Sequence, residues 1–440
     1  MIGILMLGSA LAGPIQASGP TLTLDQAIQI AEQNAFSVKT AQSAYEKVHQ
    51  EVLQAKGMLG PDVKLGATYT RFDKETKVQF GNANQPIIVS PIQTKVATAS
   101  VSMPIDISGE YNLGIRAADA TLRSSQASVE AARSDLRRAV TDAYLAVLRA
   151  KAQVQVAQQS ESDEEDRMKN VQEQKNAGTL AQVDVLRQEA ELSQSKADLI
   201  TAQNALEISK ESLNNTIARP IETQLDVQET DGLPEIPQSP DAEVKQALNR
   251  RPELQSIRET RVALHAITKA TATGLLPTLQ VAINYTRNLT TGGFGSQPEQ
   301  TVGTLSLSFP IWDSGVTHAK IGQARQDEVQ AEIQQNQLEL SISLEVRQAV
   351  TNLQNAKQRY DVAQSQVTYA EETYRLARIK LAAGQGILLE VTDAETALSQ
   401  ARNGLVNARY DYLTAYADLQ RAIGADVPQI EEVPQKGEPK

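Results

Sequence analysis

The sequence predicts a mainly helical chain that also carries strands for a membrane β-barrel, built from a duplicated helix–strand–strand–long helix–helix unit. Three observations predict it. Several motifs recur at a fixed offset. Four segments of about 10 residues alternate apolar and polar side chains. Two very long stretches carry an apolar repeat of 3.5 residues.

The duplication comes first, because it organises the rest. SMPI at 102–105 matches SFPI at 308–311, an offset of 206 residues. The same offset aligns AGTLAQVDVLRQEAEL (177–192) with AGQGILLEVTDAETAL (383–398), and LITAQ (199–203) with LVNAR (405–409). Upstream the offset becomes 216, where GPDVKLGATYTR (60–71) matches LPTLQVAINYTR (276–287). The change falls in what reads as a surface loop, where insertions are tolerated. The expected layout is therefore a first repeat over 18–219 and a second over 241–425. Between them, residues 220–240 carry Pro234, Pro237 and Pro240 and read as an extended linker. Residues 426–440 form a similar tail. Residues 1–17 read as a signal peptide, with cleavage expected after Ala17. Their apolar run suits an h-region and is too short to span a bilayer as a helix, although the usual positive n-region is missing. Beyond it no run of 18 apolar residues occurs, so an exported chain without a transmembrane helix is expected.

The strands are expected at about 61–72, 94–105, 277–288 and 301–311. In the first, Val63, Leu65, Ala67 and Tyr69 oppose Lys64, Gly66, Thr68 and Thr70. The others repeat the pattern: Ala97, Ala99, Val101 and Met103; Leu279, Val281, Ile283 and Tyr285; Leu305, Leu307, Phe309 and Ile311. Apolar toward lipid and polar toward a lumen is the habit of transmembrane barrel strands. An amphipathic sheet on a soluble core shares the alternation. However, four strands close no barrel and leave two edges, which lipid forbids. Several chains must then build the barrel: three give twelve strands, two give eight, and strand arithmetic does not choose. Tyr69, Phe72, Tyr285, Phe309 and Trp312 lie near strand ends, where an aromatic girdle or a packed junction would sit. Pro61, Pro104, Pro277 and Pro310 mark the four junctions with helices. The intervening loops, 73–93 and 289–300, are polar, as extracellular loops would be.

The long helices are expected from about 109 to 176 and from about 315 to 382, each on the order of 100 Å long. Ser108 and Ser314 stand as matching N-caps. The second carries the seam Val346, Ala349, Leu353, Ala356, Tyr360, Ala363, Val367, Ala370, Tyr374, Ala377, Leu381. The first shares it as Val140, Ala143, Val147, Ala150, Val154 and Ala157, and the seam is expected to break at the acidic run ESDEED (161–166). That run reads as a solvated face or a docking patch. Further helices are expected over 24–56 and 180–217. Gly178 and Gly384 would terminate the long helices, and Thr179 with Gln182 resembles a capping box that restarts the chain.

Composition agrees. Aromatic residues make up only 4% of the chain and there is one Trp, so thick cores are out of reach and close helix packing through small residues fits better. A net charge of -11 argues against nucleic-acid partners. There are no cysteines, so disulfides, thiolate metal sites and cysteine nucleophiles are excluded. His49, His265 and His318 are scattered, which suggests no metal site, and nothing suggests a cofactor. No nucleophile–base arrangement or phosphate-cradling loop stands out, so an enzyme is not expected.

Duplicated AGTLAQVDVLRQEAEL and AGQGILLEVTDAETAL, paired SMPI and SFPI, and the early helix LTLDQAIQIAEQNAFSV (22–38) together resemble the TolC family of outer-membrane efflux proteins over nearly the whole chain. The resemblance implies a homotrimer, with a 12-stranded barrel in the outer membrane of a Gram-negative bacterium on a 12-helix periplasmic α-barrel tunnel. It implies a periplasmic adaptor protein and an inner-membrane pump of the RND or ABC type as partners, and outer-membrane lipid as surroundings. The linker and tail would form an equatorial belt, and the tunnel would close at its periplasmic tip. Glu390 and Asp393 fall where the family places an acidic ring. In the first repeat Asp184 aligns with Glu390, but Arg187 aligns with Asp393. Asp184 and Leu381 match family positions that join neighbouring hairpins. Gly386 departs from the pattern, standing where an arginine that locks the tip is often found. Ala177, Gly178, Thr179, Ala383, Gly384 and Gln385 are the expected adaptor-docking tips. The function implied is an exit duct of a tripartite efflux or type I secretion system. The rival is a soluble or periplasmic coiled-coil scaffold, which would not associate with membranes and has no use for the strands.

Overall fold

A computed structural model describes residues 21–78, 87–178, 180–229, 232–237, 239–290 and 297–425. The expected signal peptide, Thr179 and the C-terminal tail lie outside the described residues. The chain is mostly helical and divides into two compact units. One unit comprises 1–40, 130–251 and 339–440; the other comprises 41–129 and 252–338. These units cut across the repeats expected from the sequence, since each takes stretches from both halves.

The element order is β1 (Thr21–Leu22), α1 (Leu24–Asn34), α2 (Phe36–Gly57), β2 (Asp62–Arg71), β3 (Thr76–Val78), β4 (Ile87–Ser90), β5 (Gln93–Ile105), α3 (Glu110–Asn176), α4 (Gln182–Thr216), β6 (Asp226–Val227), α5 (Pro240–Arg250), α6 (Pro252–Ala272), β7 (Thr278–Asn288), β8 (Glu299–Ser308), α7 (Val316–Ala382) and α8 (Leu388–Ala422). α3 and α7 are each 67 residues long, and α4 and α8 are each 35. Among the described residues no helix is long and apolar enough to cross a membrane.

In the second unit, β2, β5, β7 and β8 form an antiparallel sheet in that order. Its register gathers the apolar residues of successive strands on one face. Val63 lies opposite Val101, which lies opposite Ile283; Met103 lies opposite Val281, which lies opposite Leu305. Lys64, Ser100 and Asn284 line up on the other face in the same way. Residues directly opposite share a face, so this follows from the alternation once register is fixed. The apolar face is bare within the chain: Leu65 is 84% exposed and Leu305 68%. β2 and β8 are edge strands, and the sheet of one chain does not close. The first inter-strand connection also holds a small β3–β4 hairpin that the polar composition did not announce.

Pro61 and Pro277 precede their strands and Pro310 follows β8, as junction residues should. Pro104 instead lies inside β5, opposite Gln280. β2 has already ended there, since its last partner is Ser102, so no ladder bond is lost on that side. In the same unit, Ser124 meets Ser256 and Thr260 (3.0 and 2.9 Å) where α3 packs on α6.

In the first unit, the core joins α1, α3, α4 and α8 through residues such as Leu24, Ile28, Val140, Leu148, Leu213 and Leu413. β1 pairs in parallel with β6. Every residue of the expected α7 seam is buried or half-buried, as are those of α3. The expected break at 161–166 is not a break. Counting on from Ala157 by four and three reaches Glu161, Glu164, Met168 and Val171, and both Glu164 and Val171 are buried. A carboxylate can hold a core position when a guanidinium meets it, and Arg167 does so.

Three further corrections concern helix ends. The helix expected over 24–56 is two helices, because Ala35 leaves helical geometry, with φ -59° and ψ 132°. The matching helix of the second half also breaks, at Arg251, where the following Pro252 disfavours helical geometry. Ser314 is not the cap of α7; it takes a positive φ of 56°. Asp313 caps instead, accepting from the N–H groups of Gly315 and Thr317 at 3.0 and 2.7 Å. A carboxylate reaches two donors and carries the charge that a helix N-terminus favours, and the Thr317 bonds hold the Asp313 carboxyl below the usual range.

Candidate functional site

The two sequence-marked turns close the α3–α4 and α7–α8 hairpins of the first unit. α7 ends in a Schellman turn. Gly384 has φ +71°, its N–H donates to the Leu381 carbonyl at 3.0 Å, and the Gln385 N–H donates to the Lys380 carbonyl at 2.9 Å. A side chain would strain that left-handed geometry, which explains the glycine. α3 ends similarly: Gly178 has φ +79° and donates to the Lys175 carbonyl at 2.9 Å. Ala177, Gly178, Ala383, Gly384 and Gln385 are all exposed.

The helices leaving these turns begin differently. At the start of α4, Asp184 accepts the Ala181 N–H at 3.3 Å, and Arg187 lies 3.9 Å from its carboxylate. Asp184 supplies the described contact at this helix start, with N-terminal charge favouring it; the Thr179–Gln182 pair falls on a residue outside those described. In α8, Glu390 takes the same third position and Asp393 follows one turn later. Both are exposed, and neither side chain has a partner among the described residues. Residues three apart share a helix face, so α8 presents two uncompensated carboxylates on one face. At the two corresponding positions α4 has one carboxylate, Asp184, answered by Arg187.

Leu381 is half-buried. With Tyr374 it packs against Ala377, Val391 and Ala394 inside its own hairpin. Gly386 is tied to the end of α7 by lack of space: a Cβ there would stand 3.1 Å from the Lys380 Cβ and 3.2 Å from the Leu381 amide nitrogen. Both contacts are tight, so a larger residue there needs its neighbours to give by a few tenths of an ångström.

Sequence reasoning missed a cluster behind the acidic pair. Glu164 and Arg167 of α3, Gln188 of α4, Tyr374 of α7 and Glu395 of α8 converge, and all but Tyr374 are buried. The signal was the seam count that lands on Glu164. The neighbouring acids do not form one patch. Asp163 accepts from Gln159 at 3.0 Å, Glu165 lies 3.4 Å from Lys196 and Asp166 lies 2.9 Å from Lys169. Among the described residues no three acids or histidines converge as metal ligands would. His265 faces Glu328 at 3.1 Å, and His49 faces Glu46 at 3.7 Å.

The model of the family described as outer membrane efflux protein matches residues 27–219 and 244–425. The cobalt-zinc-cadmium resistance protein CzcC of Cupriavidus metallidurans is 23% identical over 93% of this chain and 92% of its own. The outer membrane protein TolC of Escherichia coli is 24% identical over 87% of this chain and 77% of its own. The crystal structure of the Campylobacter jejuni CmeC outer membrane channel superposes with a TM-score of 0.77, at 17% identity, over 98% of this chain and 95% of that one. This last likeness establishes a shared fold.

Proposed function

The chain belongs to the outer membrane efflux protein family, and on that premise we propose that it is one protomer of a homotrimeric exit duct, conducting passively from periplasm to exterior. It works in the outer membrane, as the exit component of an efflux or type I secretion system. Relatives include CzcC and, for secretion, the proteases secretion protein PrtF of Dickeya chrysanthemi.

One observation carries the proposal: a four-stranded sheet with one bare apolar face and two open edges. Lipid accepts that apolar face but not the edges, whose backbone groups find no water there. Three copies supply twelve strands and close the ring. The polar face, with Lys64, Ser100 and Asn284, would then line the lumen. Below the barrel, α3, α4, α7 and α8 of three copies would form the twelve-helix tunnel. We read 18–219 and 241–425 as two copies of one ancestral unit, which accounts for the equal lengths of α3 and α7 and of α4 and α8. β1, β6 and the linker would form the belt around the tunnel.

At the tunnel entrance, three copies of Glu390 and Asp393 would make an acidic ring. Closely spaced carboxylates favour cations and hold multivalent ones most tightly. Asp184 and Leu381 would meet neighbouring hairpins, and the tight turn at Gly386 would shape the closure. The tips at Ala177, Gly178, Thr179, Ala383, Gly384 and Gln385 would meet a periplasmic adaptor, behind which stands an inner-membrane pump of the RND or ABC type. The pump supplies the energy; the duct itself does no covalent chemistry.

The test is conductance of the detergent-extracted protein in a planar bilayer, with trivalent cation added on the tip side. Cation-selective channels blocked by that ion are expected. Glu390→Ala with Asp393→Ala should weaken the block by about tenfold or more. Channels equally blocked with and without the pair would remove the ring while keeping the duct. A protein that neither inserts nor conducts would instead be the soluble scaffold.

A further inference from the structure

The conduction mechanism leaves one buried polar cluster unused, and that cluster joins four helices of the first unit. Arg167 is 8% exposed, Glu164 7%, Glu395 5% and Gln188 1%. Arg167 Nη1 donates to Glu164 Oε1 at 3.2 Å. Its Nη2 meets the Glu395 carboxylate and lies 3.4 Å from the Tyr374 hydroxyl. Gln188 Nε2 donates to the other oxygen of Glu164. One guanidinium therefore ties α3 directly to α7 and α8, and through Glu164 to α4.

Stability does not explain such a cluster. Desolvating charges is costly, and apolar residues of similar volume commonly serve as well. Geometry explains it better. A guanidinium carries several donors in a planar fork, so one side chain can lie between two buried carboxylates, as Arg167 does between Glu164 and Glu395. The neighbouring contacts, through Ala377, Ala394 and Val391, are small and non-directional. Dispersion between small side chains resists sliding weakly. What the fork holds is also informative. Glu395 lies on the buried face of α8, five residues beyond Glu390 and two beyond Asp393, which stand on the exposed face of the same helix. Wherever Arg167 holds α8, it also sets where the acidic pair stands.

We propose that Arg167, clamped between Glu164 and Glu395, is a positioning residue for the acidic pair at the entrance. This rests on the duct function proposed above. Its test uses the full-length protein in planar bilayers, reading trivalent-cation block and reversal potential in a salt gradient, with thermal unfolding measured in parallel. Arg167→Leu should weaken the block by about tenfold, although Glu390 and Asp393 are intact. Arg167→Lys keeps the charge but not the fork, so it should recover only part of the block. Glu395→Gln keeps the volume and should fall on the same side as Arg167→Leu, which covers the case in which Arg167→Leu does not assemble. Loss of thermal stability with unchanged block would make Arg167 merely structural and overturn the proposal. If removing Glu390 and Asp393 leaves the block intact, the ring and its positioning residue fall together. If the parent forms no channels, the duct itself falls.

Discussion

Tyr144 shows how much one side chain can organise. It is fully buried, and its hydroxyl lies 3.0 Å from the Leu22 carbonyl and 2.8 Å from that of Gln228. It therefore pins the segments around β1 and β6 to α3. Tyr144→Phe leaves polar backbone without that donor and should cost about 1–2 kcal/mol. Far-UV circular dichroism of the detergent-solubilised protein should show the thermal midpoint fall by several degrees; an unchanged midpoint would show that the hydroxyl is dispensable. At this scale legibility was uneven. Gly178 and Gly384 could be read because a left-handed turn demands a residue without Cβ. Glu164 could have been read, since it falls on the seam count. Arg167, Gln188 and Glu395 could not, because their pairing joins residues far apart in sequence and leaves no periodic trace.

At the scale of elements, charge pairs connect the long helices. Arg251 is buried and grips Glu345 of α7 with both nitrogens, at 2.6 and 2.7 Å. Arg421 of α8 reaches Asp135 of α3 at 2.7 Å, and Arg138 pairs with Asp142 at 2.7 Å and with Asp418. Burial pushes the Asp142 carboxyl above its ordinary 3.8, with Arg138 pulling the other way. Burial does the same to Asp135 against Arg251 and Arg138. A raised folded pKa means that the native state binds more protons than the unfolded chain in the window just above 3.8. The contribution of these groups to stability is thus present in acid and lost as pH rises through that window. Asp142→Asn should flatten this part of the pH dependence relative to the parent; parallel curves of thermal midpoint against pH would refute it. Helix lengths and the seam were legible because 3.5-residue spacing is local. The interruptions at Ala35 and Arg251 were not anticipated, although Pro252 offered a plain signal for the second.

At the scale of the whole molecule, the duplicated sequence and the compact units disagree in an instructive way. Each unit takes stretches from both halves, and α3 and α7 contribute to both units. β5 of the first half is the neighbour of β7 of the second. Periodicity reveals each strand but not which strands pair, because pairing is decided by long-range contacts. The consequence is testable. Residues 18–219 or 241–425 expressed alone should be protease-sensitive, whereas co-expression should restore resistance. A half-chain that is resistant on its own would show that the repeats fold autonomously. The apolar face of the sheet was legible, since alternation plus any in-phase register produces it. The turns and the exposed Glu390–Asp393 pair were legible in the sequence; the buried cluster around Arg167 was not.

The edge strands β2 and β8 have a consequence for the life of the chain before it reaches its destination. A solitary copy carries two rows of unsatisfied backbone groups beside a greasy surface, the makings of runaway aggregation. Such a polypeptide cannot be stockpiled safely as a monomer. If the chain assembles as proposed above, its biogenesis is a race between meeting its own kind in the right order and sticking to whatever is nearest, and overproduction tilts that race the wrong way.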